Sequence, residues 1–143
     1  MHICLLSDDY LKPTTNDQRI LINQNREAPA LFKHQNKYYL ITSACTGWSP
    51  NKALYAVADA PIGDWKQQDN PCTGPDADST FQAQSTFVLP VAGKQGTYIF
   101  MADRWNKKDL PNSRYLWLPL HFIERQPVIP WVAEFVSPLA HTK

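Results

Sequence analysis

Glycine is scarce in this chain, five residues in 143 with none of them clustered, so no glycine-rich loop is available to cradle a phosphate. Cysteine is scarcer: Cys4, Cys45 and Cys72 lack the C-x-x-C spacing of a zinc site. They leave open one disulfide plus a thiol or three reduced thiols, so they do not fix the redox compartment. The four histidines, His2, His34, His121 and His141, are far apart and share no ligand or triad spacing. With G-x-S-x-G also missing, a Ser/His/Asp hydrolase finds no support. Charge of one sign is lacking too, with 14 basic against 13 acidic residues and a net charge of +1. That balance makes nucleic acid and an anionic membrane poor partners. The adjacent pair Lys107-Lys108 reads as a solvated loop tip. Long apolar runs are absent: MHICLLSDDY reaches Asp8 and Asp9 quickly and has no basic leader, so it is neither a signal peptide nor a spanning helix. No metal or cofactor is expected.

What the chain does have is 43% hydrophobic residues, 12% aromatics and twelve prolines, enough apolar content for one packed domain. Segments rich in Tyr, Trp, Phe, Val and Thr between turn clusters predict an all-β fold, and no amphipathic helix stands out. The expected strands are residues 3–6, 19–22, 30–33, 38–43, 53–58, 85–89, 97–102, 115–118 and 131–135. His34-Gln35-Asn36-Lys37 predicts a hairpin turn, and Ala92 to Gly96 a longer one.

The two hairpins resemble each other. "PALFKHQNKYYLITSACTGW" and "STFVLPVAGKQGTYIFMADRW" both run apolar strand, polar turn, Tyr-containing strand, small residues and Trp, and Ala30 precedes Thr86 by 56 positions. A repeat of this length with several strands per unit suits a β-propeller blade, a sheet that needs neighbours to bury both faces. A sandwich or barrel is the competing architecture. Under the same shift Glu27 falls beside Ala83 and Gln84, so a carboxyl and an amide would enter successive blades at equivalent points and face one central pocket.

Glu27 stands in "NREAPALF", between Arg26 and an Ala-Pro pair. One reading is a surface ion pair with Arg26; another is a carboxyl that accepts backbone N–H groups in a turn. The third is chemical: the apolar run beyond Pro29 implies burial, and a carboxyl removed from water is biased towards the protonated form a general acid needs. "ACTGWSPN" supplies the Thr46 hydroxyl, Gly47 and the Trp48 ring, a combination that sugar sites use, with Trp48 as plain core the alternative. "FQAQSTF" puts Gln82 and Gln84 on one face if extended. Asp103 and Arg104 at a strand end suit an internal ion pair or a substrate contact.

At "REAPALFKHQNKYYLITSACTGW" the sequence resembles glycoside hydrolase family 43, five-bladed propeller enzymes that cleave arabinofuranosides, xylosides or β-1,3-galactans with inversion. The likeness continues through "DWKQQDNPCTGPDADSTFQAQSTFVLP", "YIFMADRW" and "SRYLWLPL", and is strongest to the exo-β-1,3-galactanase-like branch. The resemblance implies that Glu27 is the general acid, that Gln84 contacts the sugar and helps position the attacking water, and that Thr46 and Trp48 contact substrate. It implies a carbohydrate partner and a secreted or periplasmic protein whose signal peptide would precede Met1.

The resemblance also marks departures. An inverting glycosidase needs a second group about 6.5–9.5 Å from the acid to activate water on the opposite face of the sugar. In most of the family that group is an Asp of the first blade, and an Asp of the second blade tunes the acid. Neither blade is matched here, and Asp8 and Asp9 fit no catalytic motif. Five blades of this period need on the order of 280 residues, so residues 1–143 are expected to form the C-terminal part of one propeller domain. As an isolated chain it would be inactive and would expose blade faces prone to self-association. A non-catalytic carbohydrate-binding module and a decayed gene fragment are the rival readings.

Overall fold

The computed structural model describes residues 1–136. It contains eleven strands: β1 (His2–Leu6), β2 (Pro13–Arg19), β3 (Arg26–His34), β4 (Lys37–Ala44), β5 (Leu54–Ala58), β6 (Lys66–Gln67), β7 (Cys72–Thr73), β8 (Gln84–Pro90), β9 (Tyr98–Arg104), β10 (Arg114–Ile123) and β11 (Gln126–Pro130). Among the described residues helix is limited to two short 3₁₀ segments, Ala77–Gln82, which is broken by non-helical backbone at Ser79, Thr80 and Phe81, and Leu110–Asn112. β1 and β2 form a ribbon, β3 to β6 a four-stranded sheet in sequence order, and β8 to β11 a second antiparallel sheet. β7 extends that second sheet by pairing parallel to β11, so the connection leaving one sheet is stitched to the outer strand of the next.

The two larger sheets are successive blades of a β-propeller, and their strands follow from alternation. On β3, Ala30 and Phe32 point inward while Leu31 and Lys33 are exposed. Their cross-strand partners Ile41 and Tyr39 share the inward face. The second blade answers with Val88, Phe100 and Leu118 in one cross-strand row, each at most 1% exposed. These faces meet in one core that also holds Tyr55, Leu120 and Ile129. Removing such side chains from water is the main stabilising term of the fold.

The two inner strands, β3 and β8, pack against each other. Each carries a one-residue bulge close to its start, between Glu27 and Ala30 in β3 and between Ser85 and Phe87 in β8. A bulge bends its strand and re-aims the side chains around it. In β3 it is marked by Ala28 at φ 52. Pro29 follows, where a proline's missing N–H costs no ladder bond.

The hairpin at His34 to Lys37 is as expected, with Gln35 and Asn36 as its two-residue loop. Two strand expectations fail. Residues 19–22 are not a strand: β2 ends at Arg19, and Leu21 and Asn23 take φ 47 and 62 as the chain turns. The polar PTTNDQR segment is the strand there because it pairs with β1, which an apolar pattern does not signal. Residues 131–135 are not a strand either, since β11 stops at Pro130 and Trp131 packs over Phe81 with centroids 5.5 Å apart.

Candidate active site

Glu27 and Gln84 are the first or second residues of their strands and face each other where the blades meet. The Gln84 side-chain amide donates to Glu27 Oε1 at 2.8 Å and to Ser43 Oγ at 2.6 Å. Ser43 is the cross-strand partner of Glu27 and is buried. Nε2 is thus the end of the Gln84 amide that faces Glu27. One residue on, Ser85 Oγ donates to the Ala28 carbonyl at 2.7 Å and pins the bulge that aims Glu27. The Gln84–Glu27 and Ser85–Ala28 contacts each join positions 57 residues apart, one more than the 56-residue offset of the sequence repeat, so equivalent points of the two blades meet here.

The ion-pair alternative for Glu27 is not what the structure holds. Arg26 turns the other way and donates to the Thr42 hydroxyl at 3.0 Å and the Thr42 carbonyl at 2.6 Å. Burial lowers its pKa from the ordinary guanidinium value. The neighbour of Glu27 on the loop side is Cys45. Loss of hydration, and then the Glu27 carboxylate, push that thiol above its usual range, with Arg26 opposing.

A cleft of about 600 Å³ opens over Glu27 and Gln84, walled by Trp48, Trp105 and Leu110. An adjoining pocket, sharing Trp48, Gln84 and Trp105 with it, is lined by Ser43, Asn51, Gln82 and Asp103. Trp48 and Trp105 meet edge to face with centroids 5.4 Å apart. Thus Glu27, Gln84 and Trp48 come together, whereas Thr46 is engaged within its own loop. The Thr46 hydroxyl donates to the Ser49 carbonyl at 2.7 Å and accepts from Asn51 Nδ2 at 2.6 Å. Gln82 sits in a left-handed turn at φ 61 and donates to Ser79 Oγ, so it does not share a strand face with Gln84. Asp103 and Arg104 part company. Asp103 lines the adjoining pocket, while Arg104 donates to the Phe81 carbonyl at 2.9 Å and lies over the Trp131 ring. Asp9 caps the β1–β2 turn by accepting from Ser7 Oγ and the Leu11 N–H.

Sequence reasoning missed Ser43, Asn51 and Trp105. Trp105 had a signal, because it ends the second repeat as Trp48 ends the first. Ser43 and Asn51 had none, since a serine inside a strand and an asparagine in a loop are ordinary. Among the described residues, no three His, Cys, Asp or Glu side chains gather as a metal would require.

The fold and the site define a segment of a β-propeller with a polar cleft at a blade junction. No family model and no curated protein matches the chain. Solved structures do. A GH43 β-1,3-galactosidase, BT3683, in complex with galactodeoxynojirimycin, is 49% identical with TM-score 0.90, over 94% of this chain and 39% of that one. The exo-β-1,3-galactanase 1,3Gal43A from Clostridium thermocellum is 37% identical with TM-score 0.80, over 91% of this chain and 28% of that one. An exo-β-1,3-galactanase from Phanerochaete chrysosporium, solved as a Glu-to-Ala variant with β-1,3-galactotriose, is 32% identical with TM-score 0.75, over 90% and 29%. The chain belongs to glycoside hydrolase family 43. It spans well under half the length of the structures it is similar to.

Proposed function

We propose that this chain supplies the acid side of an inverting glycosidase site acting on β-1,3-linked galactan. The observation that carries the reading is the 2.8 Å contact between Gln84 and Glu27 at the base of an aromatic-walled cleft. The similarity to β-1,3-galactosidases and galactanases supports the choice of galactan over arabinofuranosides and xylosides. In this mechanism the Glu27 carboxyl protonates the glycosidic oxygen as the bond to the anomeric carbon breaks. Gln84 holds Glu27 through its Nε2, and its Oε1 can accept from a sugar hydroxyl or a water. A second carboxylate on the opposite face of the ring is needed to activate water. Blades outside residues 1–143 would supply it, so the isolated chain turns over little substrate. Such an enzyme works on extracellular polysaccharide, in a secreted or periplasmic setting.

The test is to fuse the chain behind the N-terminal part of the 49%-identical β-1,3-galactosidase and assay β-1,3-galactotriose. Hydrolysis is expected, and Glu27→Gln should lower kcat by about 10²–10⁴-fold. With a dinitrophenyl galactoside, whose leaving group needs no proton, the same substitution should cost far less. An equal loss on both substrates would show that Glu27 is not the acid.

The two exposed indoles favour a second reading, a carbohydrate-binding module without turnover. It expects sugar binding by the 143-residue chain that is lost in Gln84→Ala and Trp48→Ala yet kept in Glu27→Gln. Turnover of β-1,3-galactotriose by the fusion separates the two readings, since the module binds without hydrolysing.

A further inference from the structure

The 57-residue spacing that joins Glu27 to Gln84 and Ala28 to Ser85 also separates Trp48 from Trp105. Each blade therefore contributes a polar group from the start of its inner strand and an indole from the segment after its second strand. The polar pair meets at 2.8 Å and the indole pair at 5.4 Å, on the same cleft.

The indoles are not core. Trp48 is 55% and Trp105 45% exposed, so their edge-to-face contact leaves ring surface turned to solvent. Within the described residues that apolar area is left in water, which is unfavourable. Their planes stand at 76°, which prevents one sugar ring from stacking flat on both. Two linked rings, turned relative to each other, can each meet one wall. Leu110 lines the same cleft, and Ser43, Asn51 and Asp103 line an adjoining pocket that shares Trp48, Gln84 and Trp105.

We propose that Trp105, paired with Trp48 and flanked by Leu110, is a specificity-determining wall for the sugar ring next to the one held at Glu27 and Gln84. The cleft then selects an oligosaccharide over a single sugar. The apolar C–H face of a pyranose stacks on the indole, and the polar pair fixes the adjoining ring. This inference rests on the reading of the cleft as a glycoside site.

The experiment is titration calorimetry with galactose and with β-1,3-galactotriose on the fusion described above, carrying Glu27→Gln to stop turnover. Trp105→Ala should weaken galactotriose binding about three- to tenfold while changing galactose binding less than twofold. Trp105→Phe, which keeps an aromatic face, should recover most of the loss and guards against a folding defect. Equal weakening of both sugars, or no change in either, would overturn the two-ring wall and leave the site reading standing. No binding of either sugar by the fusion that retains Trp105 would overturn the site reading, and this inference with it.

Discussion

Asn51 organises the loop that presents Trp48. Its Oδ1 accepts from the Ala44 N–H at 2.8 Å, and its Nδ2 donates to the Ala44 carbonyl at 3.0 Å and to the Thr46 hydroxyl at 2.6 Å. Its carbonyl accepts from Thr80 Oγ1 at 2.7 Å, tying the loop to the 3₁₀ segment that leads into Gln84. Thr80, Phe81 and Gln82 in that segment all take positive φ, between 51 and 61, which is costly for a β-branched residue and holds only where surroundings enforce it. Asn51→Ala leaves the Ala44 N–H without its acceptor and should destabilise by about 1–3 kcal/mol, read as a lower urea midpoint. Asn51→Asp keeps the acceptor but loses the amide donor, so its midpoint should fall between the two.

At the scale of elements, β3, β4, β9 and β10 share an aromatic cluster between the blades. The His34 ring stacks on Phe122 with centroids 3.6 Å apart, and its Nδ1 lies 3.1 Å from the Tyr98 hydroxyl. Tyr98 also donates to the Lys33 carbonyl, and the Tyr39 hydroxyl reaches the Arg125 carbonyl. Burial lowers the His34 pKa below its ordinary 6.5. A depressed folded-state pKa means that the unfolded chain takes up the proton more readily. The contribution is therefore full above pH 6.5 and is lost as pH falls through the folded value. Melting temperature should drop between pH 7.5 and 5.5, and His34→Phe should flatten that dependence. Carboxylates such as Asp69, whose pKa is lowered chiefly by the Lys52 contact, lose their contribution in a separate, more acidic window.

For the whole molecule, the decisive feature is the face of the second blade turned away from the shared core. Phe87, Met101 and Trp117 form one cross-strand row there, with Phe87 47% and Trp117 44% exposed. The row on the opposite face, Val88, Phe100 and Leu118, is buried against the first blade. An aromatic row left in water favours association. Sedimentation velocity of the isolated chain should show concentration-dependent association, and the double substitution Phe87→Lys with Trp117→Lys should weaken it at least about tenfold by like-charge repulsion and lost apolar area. Association unaffected by these changes would place the contact elsewhere.

The sequence by itself determined the all-β class, both hairpins, the blade repeat and the choice of Glu27 and Gln84 as candidates. Those features are local: alternation, turn residues and a recurring pattern are written into consecutive residues. The polar strand β2 and the proline-rich β11 were not legible, because pairing partners rather than their own composition make them strands. The partner of Glu27 was also undecidable from sequence, since Arg26 is adjacent in the chain yet points away in an extended strand. Only the tertiary structure decided that Gln84 holds Glu27, that Ser43 completes the contact, that Thr46 is engaged within its loop and that Trp105 joins Trp48. Each of those facts depends on how side chains of two sheets, or of a loop folded back on itself, meet in space, and that geometry is set by the packing of the blades.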